Sequence, residues 1–114
     1  MRPLLIAGLC AAALQAYSPA MAADAPALEH GREVFERWCA PCHDPGPSHP
    51  GTAALAAKYK GAVPAELERR QNLTPAFVSG VVRHGISVMP IFRKTEISDD
   101  DLAALEAYLQ QPHK

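Results

Sequence analysis

Apolar residues recur at helical spacing in three stretches of the chain, and no stretch alternates in the manner of a strand. Val34, Phe35 and Trp38 stand three and four positions apart. They mark one face of a helix expected over Leu28–Cys39, with Glu29, Arg32, Glu33, Glu36 and Arg37 on its wet side. Phe77, Val78, Val81 and Val82 form a second stripe. Thr74 supplies the N-cap hydroxyl of that helix, Pro75 its first-turn proline and Gly85 its stop. Leu102, Leu105, Tyr108 and Leu109 form a third, behind Ser98 as cap and with Asp99, Asp100 and Asp101 at the positive helix end; Pro112 closes it. Pro41, Pro45, Pro47 and Pro50 crowd one ten-residue stretch, which predicts neither regular helix nor strand from Pro41 to Pro50. Thr52–Tyr59 is Ala-rich and predicts a short helix, Gly61–Pro64 breaks it, and the polar stretch Ala65–Gln71 is compatible with another. Ile86–Lys94 reads as a loop interrupted by Pro90. There is no internal repeat and no linker, so the expectation is an all-α domain of three to five short helices.

Ahead of this pattern stands a different segment. Arg2 precedes an uncharged apolar run, Leu4 to Leu14, and Ala20-Met21-Ala22 offers small residues where a signal peptidase cleaves. Residues 1–22 are therefore expected to be a cleaved export signal and residues 23–114 a single domain in the periplasm. The run is too short for a spanning helix, which needs about 20 apolar residues. The 114-residue chain carries 11 Lys+Arg against 12 Asp+Glu, and its basic residues form no stripe of the kind that binds nucleic acid. The part after residue 22 is at the small end for a stable domain and keeps two cysteines. One disulfide across so short a gap would constrain the unfolded chain little, so something else is expected to fill the core.

Cys39-Ala40-Pro41-Cys42-His43 supplies that candidate, because C-x-x-C-H reads as an attachment site for c-type haem. Two thiols three positions apart can reach the two vinyl groups of one haem, and the next residue then lies under the iron, where a neutral imidazole is a common ligand. Three other chemistries compete. Zinc needs four ligands and finds no second cysteine pair. Trp38-Cys39-Ala40-Pro41-Cys42 also looks like the W-C-x-P-C motif of thiol-disulfide oxidoreductases, but that motif follows a strand in a mixed sheet. A haem sensor or enzyme would leave the sixth iron position open. Met89 argues against the last, as a soft thioether stiffened by Pro90 and the only methionine after residue 22. His84, at a helix end, is the best alternative ligand; His30, His49 and His113 stand less favourably.

These features together resemble the class I cytochrome c family from about Leu28 to Leu109. They are the helix with Gly31, Val34 and Phe35 leading into C-x-x-C-H, the Pro/Gly loop, the helix ending at Gly85, Met89-Pro90, and the Leu-rich last helix with Tyr108. The resemblance implies a small cytochrome c fold around one covalently bound haem c, with His43 and Met89 on the iron. It implies that the first and last helices cross closely at Gly31, with Phe35 against Leu105 and Tyr108. It implies a proline whose carbonyl accepts a hydrogen bond from the axial histidine, a role assigned to Pro50. The implied function is electron transfer rather than enzyme catalysis. Phe35, Leu55, Tyr59, Val78, Val82, Ile91 and Phe92 are expected to line the pocket, Arg83 and Tyr59 to bond a propionate, and Arg69, Arg70, Arg93 and Lys94 to offer a docking patch. More narrowly, Pro45–Thr52 and Met89–Ser98 are similar to cytochrome subunits of the 4-cresol methylhydroxylase type. Such a subunit accepts electrons from a flavin-dependent dehydrogenase of 4-alkylphenols as its redox partner.

Overall fold

Proline begins four of the five helices among residues 24–113, the residues described by the structure, which is a computed structural model. The expected export signal, residues 1–22, lies outside them. A first-turn proline loses nothing, because the N–H it lacks would have no partner within the helix and its fixed φ already suits the helix. Pro26 starts α1 (Ala25–Trp38), Pro41 stands in the one-turn α2 (Ala40–His43), Pro50 starts α3 (Pro50–Tyr59) and Pro75 starts α4 (Pro75–His84). This corrects the expectation that nothing regular survives between Pro41 and Pro50: Pro41 enters a helix at its one tolerant turn. α3 opens two residues before Thr52, and the polar stretch after it shortens to a 3₁₀ turn at Leu67–Arg69. No strand occurs among the described residues; Ile86 and Met89 form an isolated bridge. The fold is all-α and consistent with that of cytochrome c.

The caps read from the sequence are made. Thr74 Oγ1 accepts from the Phe77 amide at 3.2 Å, and Gly85 closes α4 at φ 70°, a backbone state that side chains resist. α5 (Asp99–Leu109) carries a full capping box: Ser98 Oγ accepts from Asp101 N, and the Asp101 carboxylate accepts from Ser98 N, both at 3.0 Å. These bonds, first those from Ser98 and then that from His30, hold the Asp101 carboxyl below its ordinary pKa. Ser98→Ala leaves the Asp101 amide without its partner and is expected to lower stability by about 1 kcal/mol, measurable as a lower midpoint in chemical denaturation.

α1 and α5 cross on their buried stripes, Gly31, Val34 and Phe35 against Leu102, Ala104, Leu105 and Leu109. The Phe35 and Tyr108 rings lie 5.8 Å apart. Phe35, Ile97 and Leu105 are the largest fully enclosed side chains, each contributing about 1.5–3 kcal/mol of burial. Val78 and Val82 bring α4 into the same core, and Ser79 donates to Glu106 to join α4 to α5. Arg83, expected beside a propionate, instead donates to the carbonyls of Phe92 (3.1 Å), Ile97 (2.8 Å) and Ser98 (3.3 Å) and pairs with Asp99 at 3.0 Å. It straps α4 to the segment leading into α5, because a guanidinium fork satisfies several unpaired carbonyls at once.

Candidate functional site

Cys39 ends α1 and begins α2. Its amide still donates to Phe35 O at 2.8 Å, while its own carbonyl accepts from Cys42 N at 3.0 Å and His43 N at 2.9 Å. Positions three and four apart share one helix face, so Cys39, Cys42 and His43 stand together on a single turn. Both thiols are free, Cys39 buried and Cys42 exposed. Burial, then the neighbouring Cys42, pushes the Cys39 thiol up to about 12. A thiol so protonated is a poor nucleophile, the reverse of what a thiol-disulfide oxidoreductase needs, and among the described residues no sheet stands behind the motif. Among the described residues no three His, Cys, Asp or Glu side chains converge as a metal cluster would require.

Burial lowers the pKa of His43, which favours the neutral imidazole. Its Nδ1 is buried without a hydrogen-bond partner. The other four histidines each bond elsewhere: His30 to Asp101 at 2.7 Å, His49 to Pro41 O at 3.4 Å, His84 to Gly80 O at 3.0 Å and His113 to Tyr108 O at 2.9 Å. Pro50 takes the first position of α3, and the bond its carbonyl was expected to accept from His43 Nδ1 is not made; Gly51 lies against the ring. Sequence reasoning passed over Gly51, since a glycine two residues into a helix carries no local signal for a neighbour eight positions away.

Met89 is held by a different device. Gly85 turns the chain out of α4, and Ile86 and Met89 then exchange two hydrogen bonds, 3.3 Å and 2.9 Å, around Ser87 at φ 54°. Phe92 N returns to Val82 O at 2.8 Å. The half-buried Met89 side chain packs on the core, as do Trp38 and Phe92, whose rings meet edge to face at 5.9 Å. That aromatic pair joins the chain just before Cys39 to the chain just after Met89.

The expected pocket residues divide. Phe35, Val78 and Val82 are buried and Phe92 packs against them, Leu55 and Tyr59 are half-buried, and Ile91 is 57% exposed. With Ile91, Phe77, Ile86 and Val88 form an exposed apolar set on α4 and the Met89 loop. The expected basic patch does not form as a free surface. Arg70 is buried, over the Tyr59 ring at 4.9 Å and bonded to Asn72, while Arg69, Arg93 and Lys94 pair with Glu66, Glu96 and Asp99. No helix among the described residues is long and apolar enough to cross a membrane.

The family model described as cytochrome C oxidase, cbb3-type, subunit III matches residues 26–109. No curated protein and no solved structure matches the chain.

Proposed function

The chain belongs to this family of cytochrome c domains, and from that premise we propose that it is a mono-haem electron carrier in which Cys39 and Cys42 tether haem c and His43 and Met89 ligate its iron. A haem-based electron-transfer role follows from the family; the assignment of these four residues is our own. The observation that carries it is the single helical turn bearing both thiols and a neutral imidazole, with a lone thioether held on the same core by the Trp38–Phe92 contact. The donor set fits the group. Two free thiols match two vinyl groups, and imidazole and thioether are both donors that would hold haem iron.

When bound, the haem supplies a one-electron couple. The chain's own residues do the remainder. His43 offers an uncharged nitrogen, because burial keeps its proton affinity low. The Gly85–Met89 turn fixes the backbone from which Met89 would offer its sulfur, and thioether ligation would raise the potential. Phe35, Val78 and Val82 keep the interior dry, so that little solvent reorganises around the charge change. Phe77, Ile86, Val88 and Ile91 are exposed, apolar surface of the kind on which a redox partner would dock.

Export to the periplasm with cleavage after residue 22 belongs to the same proposal, and amino-terminal sequencing of the secreted protein tests it. The proposed electron donor is a flavin-dependent dehydrogenase of 4-alkylphenols, on the strength of Pro45–Thr52 and Met89–Ser98. Reduction of the ferric chain by such a flavoprotein and its phenolic substrate is the deciding measurement. The ligand assignment is tested by Met89→Ala. This variant is expected to keep covalent haem, to lose the weak ferric absorption band at about 695 nm that marks iron–thioether bonding, and to fall in potential. A variant with band and potential unchanged would remove Met89 from the iron.

A further inference from the structure

Met89 is carried by a loop whose two ends meet at the last turn of α4. The chain leaves α4 at Gly85 and returns to it at Phe92. Both backbone polar groups of Phe92 are engaged there. Its N–H donates to Val82 O at 2.8 Å, and its carbonyl accepts from Arg83 Nη1 at 3.1 Å. The first bond belongs to the backbone and needs no particular side chain at position 82. The second exists because residue 83 carries a long donor. The same Nη1 donates to Ile97 O at 2.8 Å, while Nη2 donates to Ser98 O at 3.3 Å and pairs with Asp99 at 3.0 Å. One planar group therefore ties the foot of the Met89 loop both to α4 and to the cap of α5. The Arg83 side chain is 18% exposed, so these charge-assisted bonds lie largely out of water.

Inside this neck the loop has little else to hold it in place. Ile86, Val88 and Ile91 are exposed, and the two bonds between Ile86 and Met89 join the loop to itself rather than to the core. A segment with few buried contacts opens locally at low cost, so its position is set where it is anchored. Phe92 is also the ring that meets Trp38, next to Cys39. The anchored residue thus registers the loop against the turn that bears the thiols.

We propose that Arg83 is a positioning residue for Met89: its guanidinium closes the neck of the loop at Phe92 and so sets how often the thioether leaves the iron. A fork of five donors suits this task, because it spans several carbonyls in one fixed geometry where an ammonium is a single point. The inference rests on the iron-ligating role of Met89 proposed above.

The test compares the haem-loaded wild-type chain with Arg83→Met, Arg83→Lys and Ser79→Ala. Arg83→Met keeps the aliphatic stem and removes the donors. Ser79→Ala is the control, because it removes the α4–α5 bond to Glu106 without touching the neck. The readout is the limiting rate at which imidazole displaces the thioether from ferric iron, followed at the iron–thioether band, beside the midpoint of global unfolding. At saturating imidazole this rate is that of loop opening. Arg83→Met is expected to raise it about tenfold or more, the equivalent of one lost charge-assisted hydrogen bond. Ser79→Ala is expected to unfold earlier and to keep the wild-type rate. An Arg83→Met protein with the wild-type rate overturns the inference and leaves Met89 on the iron. Equal acceleration by Ser79→Ala also overturns it, since the effect would then be one of general stability. A wild-type ferric protein without the band overturns the ligand assignment itself. If Arg83→Met does not accumulate, Arg83→Lys decides: displacement faster than in wild type supports the fork at the neck, and the wild-type rate overturns it.

Discussion

Cys39→Ser combined with Cys42→Ser is expected to abolish covalent haem, seen as complete loss of peroxidase staining after denaturing electrophoresis. A hydroxyl does not replace a thiol in forming the thioether, and Ser for Cys changes size too little to disturb α2. The effect extends beyond chemistry. A domain this small buries a modest core, and its enclosed side chains number few beyond Phe35, Ile97 and Leu105. Phe77, Ile86, Val88 and Ile91 add nothing to it, being exposed. Without the tether, haem would be held by the proposed ligands His43 and Met89 alone and would be lost by mass action on dilution. The double variant is therefore expected to unfold at lower temperature than wild type and to bleach on dialysis. The single variants separate the two sites. Cys39→Ser places a hydroxyl in a buried position and is expected to cost more stability than Cys42→Ser at the surface. Undiminished staining of the double variant would refute the tether.

Gly31→Val is expected to be the most destabilising substitution away from the motif. The Cβ it adds would stand 2.7 Å from both the Ala104 carbonyl carbon and Tyr108 Cβ, and closer still to the Ala104 carbonyl oxygen. Two of these neighbours are backbone of α5, so no rotamer change relieves the clash and the helices must separate. Separation loosens the Phe35–Tyr108 contact and the enclosure of Leu105. Overpacking of this kind costs about 1–3 kcal/mol and occasionally more, against a total of about 5–15 kcal/mol for a whole domain. Chemical denaturation should show a loss of about 3 kcal/mol, at the upper end of the range for overpacking. Gly80→Ala, with open space at its Cβ, is expected to be neutral or slightly stabilising. An unchanged midpoint for Gly31→Val would mean that α1 and α5 do not approach at this point.

The sequence by itself determined whatever depends on neighbours within a turn or two. The stripes of α1, α4 and α5, the hydroxyl caps at Thr74 and Ser98, and the stop at Gly85 were legible because helix periodicity and capping are local. The grouping of Cys39, Cys42 and His43 was legible for the same reason: spacings of three and four put them on one face of any helical turn. The closeness at Gly31 was expected only through the resemblance to class I cytochromes c, since no local pattern shows which helix lies across a glycine. Only the tertiary structure decided the rest, because those outcomes depend on which distant group fills a given space. Pro41 and Pro50 start helices instead of preventing them, since packing of α2 and α3 against each other stabilises turns too short to stand alone. Arg83 straps carbonyls 9 to 15 residues away, and Arg70 stacks on the Tyr59 ring, so neither serves as the open cation that its charge alone suggested. His30 finds Asp101, 71 positions on, because α1 and α5 cross. For His43, chain spacing set which turn it occupies. The fold buried its Nδ1 and set the start of α3 against the ring, where Gly51, eight positions on, leaves no room for a side chain.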